Sequence, residues 1–137
     1  MVADDAVEAF ARDGVVVIRG LVNETELGLI KTGIEKVLAN RSEASIVASS
    51  PSDPGLFVED FCRWAEVDEI GKVALRSGVP MAAAELMDSP SALFYHDHIL
   101  VKEPGTEQRT PWHQDQPYYN VHGRGISAWV PIDPVPK

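Results

Sequence analysis

The sequence predicts an α+β fold in a single domain spanning residues 1–137, mainly helical over 1–90 and rich in β-strands over 91–137. Apolar residues recur with a helical period in the first part, whereas after Pro90 they follow an extended pattern. The chain has 137 residues, of which 45% are apolar and 24% charged, enough for one hydrophobic core. We therefore expect a folded globular domain.

Two amphipathic helices are expected near the start of the chain. The first covers Asp4–Arg12 and ends at Gly14. The second runs from Glu24 to Asn40, because Asn23 followed by Glu26 is a capping pair. Its apolar side chains are expected to face the core, and they are Leu27, Ile30, Ile34, Val37 and Leu38.

Other elements are predicted from local composition. The β-branched run Val15–Ile18 is typical of a short buried strand. Residues 41–56 are rich in Ser, Pro, Asp and Gly and are expected to form a loop or mobile flap that contributes to the substrate pocket. Two or three short helices fit between Glu59 and Asp88, with Pro80 in a first turn.

The last part of the chain is predicted to contain two strands. Residues 92–102 form the longer apolar run, and residues 126–132 form a second one that Pro131 interrupts. The lone cysteine, Cys62, cannot form an internal disulfide and is expected to be a small buried side chain.

The charge balance restricts the partners. Twelve Lys and Arg against 21 Asp and Glu give a formal net charge of −9, which disfavours binding to nucleic acid or to an anionic membrane. The N-terminal segment is acidic and no apolar run is long enough to cross a bilayer. We expect a cytoplasmic protein that acts on a small-molecule substrate.

A histidine and a carboxylate occur at a spacing suited to a metal. In an extended chain, residues i and i+2 project to the same side, so His113 and Asp115 can approach one ion. Such a pair supplies two corners of the facial triad that binds Fe(II) and leaves neighbouring positions open. The spacing alone is weak evidence, because a surface His beside a solvated Asp gives the same pattern.

The surrounding sequence is more specific. Residues 111–119 read Pro-Trp-His-Gln-Asp-Gln-Pro-Tyr-Tyr, with Val-Lys-Glu-Pro-Gly at 101–105 and Ser-Ala-Trp-Val-Pro-Ile-Asp at 127–133. This part of the sequence resembles the phytanoyl-CoA dioxygenase family of Fe(II)- and 2-oxoglutarate-dependent oxygenases. Residues 10–16, near the N-terminus, resemble the same family more loosely.

The resemblance implies a fold, an activity and a set of roles. It implies a double-stranded β-helix, a cupin-like jelly roll, with helices packed on it, and hydroxylation of a small organic substrate with Fe(II), 2-oxoglutarate and O2. His113 and Asp115 would be catalytic residues and the first two iron ligands. Trp129 would line the cosubstrate pocket, and His98 or Lys102 would contact a 2-oxoglutarate carboxylate.

The family also has a third ligand, a distal His, and an Arg that pairs with 2-oxoglutarate. His122 and Arg124 follow Asp115 too soon for these roles, since the chain must cross between sheets before it returns to the metal. The missing residues are therefore expected beyond Lys137, with the chain an N-terminal part that ends before the barrel closes. We expect such an incomplete form to bind iron weakly and to be marginally stable.

Two alternatives remain open at this point. His96, His98 and Glu103 have the spacing of a cupin metal motif, although the glycines expected on both flanks are absent. A non-catalytic jelly-roll binding module is the other alternative. Neither the substrate's identity nor the oligomeric state is predicted from the residues.

Overall fold

The computed structural model describes residues 2–135 and combines α-helices with a small antiparallel sheet, in agreement with the α+β class. None of the helices in this range is long and apolar enough to span a membrane. The elements in chain order are α1 (Asp4–Asp13), α2 (Glu24–Ala39), β1 (Ile46–Val47), β2 (Phe57–Phe61), a 3-10 turn (Arg63–Ala65), α3 (Asp68–Arg76), α4 (Val79–Leu86), β3 (His98–Lys102) and a second 3-10 turn (Gln116–Tyr118).

The predicted ends of the first two helices are confirmed. Helix α1 stops at Gly14, which has a left-handed backbone (φ 74°) and donates its N–H to the carbonyl of Phe10. At the start of α2 the Asn23 side chain accepts the Glu26 N–H at 3.0 Å, and the Glu26 carboxylate accepts the Asn23 N–H at 2.9 Å. These reciprocal bonds satisfy backbone donors that the helix leaves unpaired. Pro80 lies in the first turn of α4, also as predicted.

The sheet has the strand order β1-β2-β3, and both pairings are antiparallel. Phe57 lies opposite Lys102, and Phe61 lies opposite His98. One face of β3 packs through Ile99 against the helices, whereas the next residue, Leu100, is exposed on the other face. A jelly roll requires a second sheet, which is absent from residues 2–135. The double-stranded β-helix therefore stays a prediction.

The core lies between α2, α3 and the inner face of the sheet. Helices α2 and α3 approach closely at Gly33, where an added Cβ would lie 2.6 Å from Ile70 Cδ1. Of the apolar residues predicted to line α2, Leu38 is exposed. The core cluster consists of Val37, Val67, Ile70 and Ile99, with Ile30, Ile34, Trp64 and Val101 packed against it.

A buried carboxylate joins the loop after α2 to strand β2. Asp60 is fully buried and accepts hydrogen bonds from the Ser42 N–H at 2.9 Å, the Ser42 hydroxyl at 2.5 Å and the Phe61 N–H at 2.8 Å. Burial by itself raises the pKa of Asp60, but the bonds from Ser42 and Phe61 and the charge of Arg63 outweigh it, so that pKa lies below its ordinary value. Asp60 is therefore a charged, fully satisfied core residue.

Two of the predicted strands are wrong. Residues 15–18 form no strand, and the side chains of Val15 and Val17 are 67% and 74% exposed. Residues 126–132 also lack strand structure. In both segments the composition favours β-structure, but no strand among the described residues pairs with them, and a strand is stabilised through its neighbours.

Three further expectations are corrected. Residues 59–61 belong to strand β2 rather than to a helix, and the expected loop at 41–56 contains β1. Two of the strands in the sheet therefore precede residue 90, and β3 alone among the described strands follows it. Cys62 is exposed rather than buried, because it lies at a turn with φ 58° between β2 and the first 3-10 turn.

Candidate functional site

The His-x-Asp motif lies on an irregular segment that follows β3. Hydrogen bonds near its start anchor this segment to the sheet side of the molecule. The Glu107 N–H donates to Asp53 Oδ2 at 3.1 Å, and Lys102 Nζ donates to Thr110 Oγ1 at 3.0 Å. The segment then reaches His113 without forming a strand.

The side chains of His113 and Asp115 converge, as predicted, with His113 Nε2 3.3 Å from Asp115 Oδ1. The backbone is not extended through the motif as assumed, and a turn brings the two groups together, because Asp115 has helical backbone angles and precedes the 3-10 turn. His113 Nδ1 lies 2.8 Å from the carbonyl oxygen of Pro111. Because a carbonyl only accepts, Nδ1 carries the proton, and Nε2 is the nitrogen directed at the carboxylate.

The second oxygen of Asp115 has its own partner. The Ser127 hydroxyl donates to Asp115 Oδ2 at 2.6 Å. Each member of the pair therefore has one atom fixed by an outer hydrogen bond and one atom directed at the other member. The Ser127 contact carries no signal in the sequence, since a single serine twelve residues after an aspartate fits no spacing rule.

The donor set fits a divalent metal in part. Two ligands bound about 2.1 Å from one ion at a right angle lie about 3.0 Å apart, close to the observed 3.3 Å. A metal-binding histidine generally donates its other N–H to a carbonyl or carboxylate, as His113 does to Pro111. The side chains are 40% and 43% exposed, so the pair is accessible from solvent. In residues 2–135 no third His, Cys, Asp or Glu joins the pair to complete a metal site.

Three aromatic rings pack beside the motif. Tyr95, His96 and Tyr119 contact one another edge to face, with ring centroids 5.2 to 5.3 Å apart. Burial raises the pKa of Tyr119, and the negative charge of Asp115 and the neighbouring Tyr95 raise it further. The phenol therefore stays protonated at neutral pH and keeps its hydroxyl as a donor near the motif.

A family comparison decides the relationship. The family model for phytanoyl-CoA dioxygenase (PhyH) matches residues 10–137. The chain belongs to the phytanoyl-CoA dioxygenase family. Members of this family are in general Fe(II)- and 2-oxoglutarate-dependent dioxygenases. Searches of curated proteins and of solved structures found no match to this chain.

Within this family assignment, the two residues predicted to bind 2-oxoglutarate lie in different surroundings. His98 Nε2 is 2.8 Å from Glu59 Oε2, and its ring stacks on Phe61 at 4.2 Å. Lys102 Nζ contacts Thr110 and lies 4.4 Å from the centre of the Phe57 ring. The roles of both residues in binding the cosubstrate stay predictions.

Trp129 is 76% exposed, and its role in lining the cosubstrate pocket also stays a prediction. Arg124 is directed elsewhere, because its Nη1 donates to the carbonyl of Met87 at the end of α4 at 2.6 Å. There it borders a groove of about 440 Å³ between α1 and α4, which contains neither His113 nor Asp115.

The cupin alternative is not supported by the geometry. His96 packs among the aromatic rings, His98 pairs with Glu59, and Glu103 accepts the Leu56 N–H at 2.9 Å. The three side chains therefore have separate partners, and no metal-binding group of three forms in the described part of the chain. His98 lies on β3 and pairs across the sheet with Glu59, and Glu103 follows β3 and pairs with the loop before β2.

Proposed function

We propose that this phytanoyl-CoA dioxygenase family member is an Fe(II)- and 2-oxoglutarate-dependent dioxygenase that hydroxylates a small organic substrate, with His113 and Asp115 as two iron ligands. The observation that carries the proposal is the 3.3 Å approach of His113 Nε2 to Asp115 Oδ1, with His113 Nδ1 occupied by the Pro111 carbonyl. When bound, Fe(II) with 2-oxoglutarate and O2 would supply the oxidising chemistry for the C–H bond.

The protein's own contribution is to position His113 Nε2 and Asp115 Oδ1 for the metal. Pro111 fixes the histidine tautomer, so the Nε2 lone pair and the Asp115 oxygen are both available on one side. The two side chains are 40% and 43% exposed, so a cosubstrate can reach the pair from solvent. Because no third ligand joins the pair in residues 2–135, we propose that it comes from sequence outside this range.

Lys102 is the better of the two candidates for contacting a 2-oxoglutarate carboxylate. Its ammonium contacts a neutral hydroxyl, Thr110 Oγ1, three residues before His113, so its charge is not neutralised by a carboxylate there. His98 instead faces the Glu59 carboxylate, which would repel a second carboxylate. Trp129 is proposed as a wall of the same pocket.

The remaining features of the proposal follow from the family and the charge. The three-stranded sheet is proposed to form part of a double-stranded β-helix. A net charge of −9 favours a small molecule over nucleic acid or an anionic membrane as the partner, and a cytoplasmic location is proposed.

A metal titration tests the ligand assignment. Co(II), a spectroscopic substitute for Fe(II), is added to the apo chain and to His113→Ala and Asp115→Ala, with His122→Ala as the control because His122 is an exposed histidine nearby. Each ligand variant should lose at least about tenfold in Co(II) affinity, since a lost protein ligand is replaced by water, and the control should bind as the parent does.

The alternatives predict different results. Equal Co(II) affinity in the parent chain and in His113→Ala would contradict the assignment. A strong loss in His96→Ala with none in His113→Ala would favour the cupin set. Co(II) binding that is weakened neither by the two ligand variants nor by His96→Ala would favour the non-catalytic binding module. Succinate formation from 2-oxoglutarate with Fe(II), ascorbate and O2 then reports turnover.

A further inference from the structure

We propose that Ser127 is a positioning residue for Asp115, and that its hydroxyl selects Oδ1 as the carboxylate oxygen presented to the metal. This inference rests on the proposed function, because it concerns how the same pair is held. It assigns a role to a residue outside the His-x-Asp motif.

The argument begins with the freedom of a carboxylate. An aspartate on an exposed turn can rotate about its last bond and can present either oxygen, or both, to a cation. Ser127 Oγ donates to Oδ2 at 2.6 Å, within the range of a charge-assisted bond between a hydroxyl and a carboxylate. With Oδ2 held, Oδ1 remains and lies 3.3 Å from His113 Nε2. The bond therefore favours one carboxylate oxygen as the ligand.

The histidine is held by a matching bond. His113 Nδ1 donates to the Pro111 carbonyl, and this leaves Nε2 as the nitrogen directed at Asp115. Pro111 is two residues before His113, whereas Ser127 is twelve residues after Asp115, so the two ligands are fixed from different parts of the chain. The histidine partner is a backbone group that side-chain substitution leaves in place. The aspartate partner is a side chain, and it can be removed.

The same bond helps to place the segment around Ser127. Residues 121–127 have no strand partner in residues 2–135, where three hydrogen bonds join them to other parts of the chain. Gln116 Nε2 donates to the Val121 carbonyl at 3.0 Å, Arg124 donates to the Met87 carbonyl, and Ser127 donates to Asp115. Of these three bonds, the one from Ser127 reaches a proposed ligand.

The test compares Ser127→Ala with Ser127→Thr, which keeps a hydroxyl, and with Ser91→Ala, an exposed serine elsewhere. Co(II) affinity and the visible absorption of bound Co(II) are measured together, and far-UV circular dichroism confirms that each variant is folded. Ser127→Ala should bind Co(II) about tenfold more weakly, at the lower end of the 10- to 100-fold usual for such partners because the site is exposed. Its Co(II) spectrum should change as well, since the carboxylate can then turn.

The threonine variant distinguishes the hydrogen bond from packing. Ser127→Thr should restore most of the affinity and the parent spectrum, and Ser91→Ala should match the parent chain. The proposal is overturned if Ser127→Ala retains the parent affinity and spectrum, if Ser127→Thr fails to restore them, or if Ser91→Ala shows the same loss.

The outcomes also separate this inference from the proposed function. Co(II) binding that depends on His113 but not on Ser127 would refute the inference alone. Binding that is independent of His113 would refute the ligand assignment, and the role of Ser127 would fail with it.

Discussion

Replacing Asp60 by asparagine tests whether a buried charge holds the loop after α2 against the sheet. Asp60 is fully buried, and its two oxygens accept three hydrogen bonds from Ser42 and Phe61. Asparagine has nearly the same shape but only one acceptor oxygen. If its NH2 group takes the place of Oδ2, it faces the Ser42 N–H; if it takes the place of Oδ1, it faces the Phe61 N–H. Either way, one backbone donor loses its acceptor.

The expected loss in free energy of unfolding comes from that unpaired donor and from the weaker attraction on the Arg63 charge. The Arg63 side chain is buried, and its charge contributes to the lowered pKa of Asp60. Arg63 keeps Glu66 at 3.2 Å and the Asn40 carbonyl at 2.9 Å, but it would lose the attraction of the Asp60 charge. Leaving a buried backbone donor without its acceptor typically lowers the free energy of unfolding by about 1 to 3 kcal/mol, and the weakened attraction on Arg63 adds to this loss. For a chain of this size that corresponds to a fall in Tm on the order of 10 °C.

Urea unfolding followed by far-UV circular dichroism measures the difference, with Asp133→Asn as a control on an exposed carboxylate. The control should lie within about 0.5 kcal/mol of the parent chain. Because the pKa of Asp60 is lower in the folded chain than in the unfolded chain, its stabilisation is complete above the unfolded pKa of about 4. It is lost as the pH falls through the folded pKa, so the gap between Asp60→Asn and the parent should narrow below about pH 4. A gap under about 1 kcal/mol at pH 7, or one that does not change down to pH 3, would refute the reasoning.

Two further predictions concern helix glycines and the exposure of Cys62. Gly71→Ala should destabilise the chain, because a Cβ there would clash with the Trp64 carbonyl oxygen. Gly28→Ala in α2 meets no neighbour and should raise the free energy of unfolding by about 1 kcal/mol. Urea unfolding measures both changes, and a stabilising Gly71→Ala would contradict the close approach to Trp64. Cys62 is exposed and should react with a thiol reagent in the folded chain without denaturant. Protection of Cys62 until the chain unfolds would contradict its placement.

Signals that act within one turn of the chain predicted the helices well. The capping pair Asn23 and Glu26 and the terminal Gly14 work through bonds between neighbouring residues, and the structure contains those bonds. The convergence of His113 and Asp115 was predicted from an extended backbone, whereas the structure brings the two side chains together at a turn.

Strand pairing was harder to predict because it depends on distant partners. Strand β2 reads Phe-Val-Glu-Asp-Phe, and its inward positions include Val58 and the buried Asp60. A hydropathy pattern treats that aspartate as an outward residue, so the alternation of the strand is hidden. The reverse error occurred at residues 15–18, where β-branched side chains have the propensity of a strand but no strand in residues 2–135 pairs with them.

The site and the core are held by different kinds of contact, and this makes the proposed variants interpretable. Asp60 and the α2–α3 cluster are buried, so changes there act on the free energy of unfolding. The bonds at His113, Asp115 and Ser127 lie at exposed positions, where an ion pair or hydrogen bond contributes about 0 to 1 kcal/mol to stability. Their removal should therefore change metal affinity in a chain that remains folded. A loss of Co(II) binding in those variants can then be assigned to the ligands and their partner, because the core that supports them is unchanged.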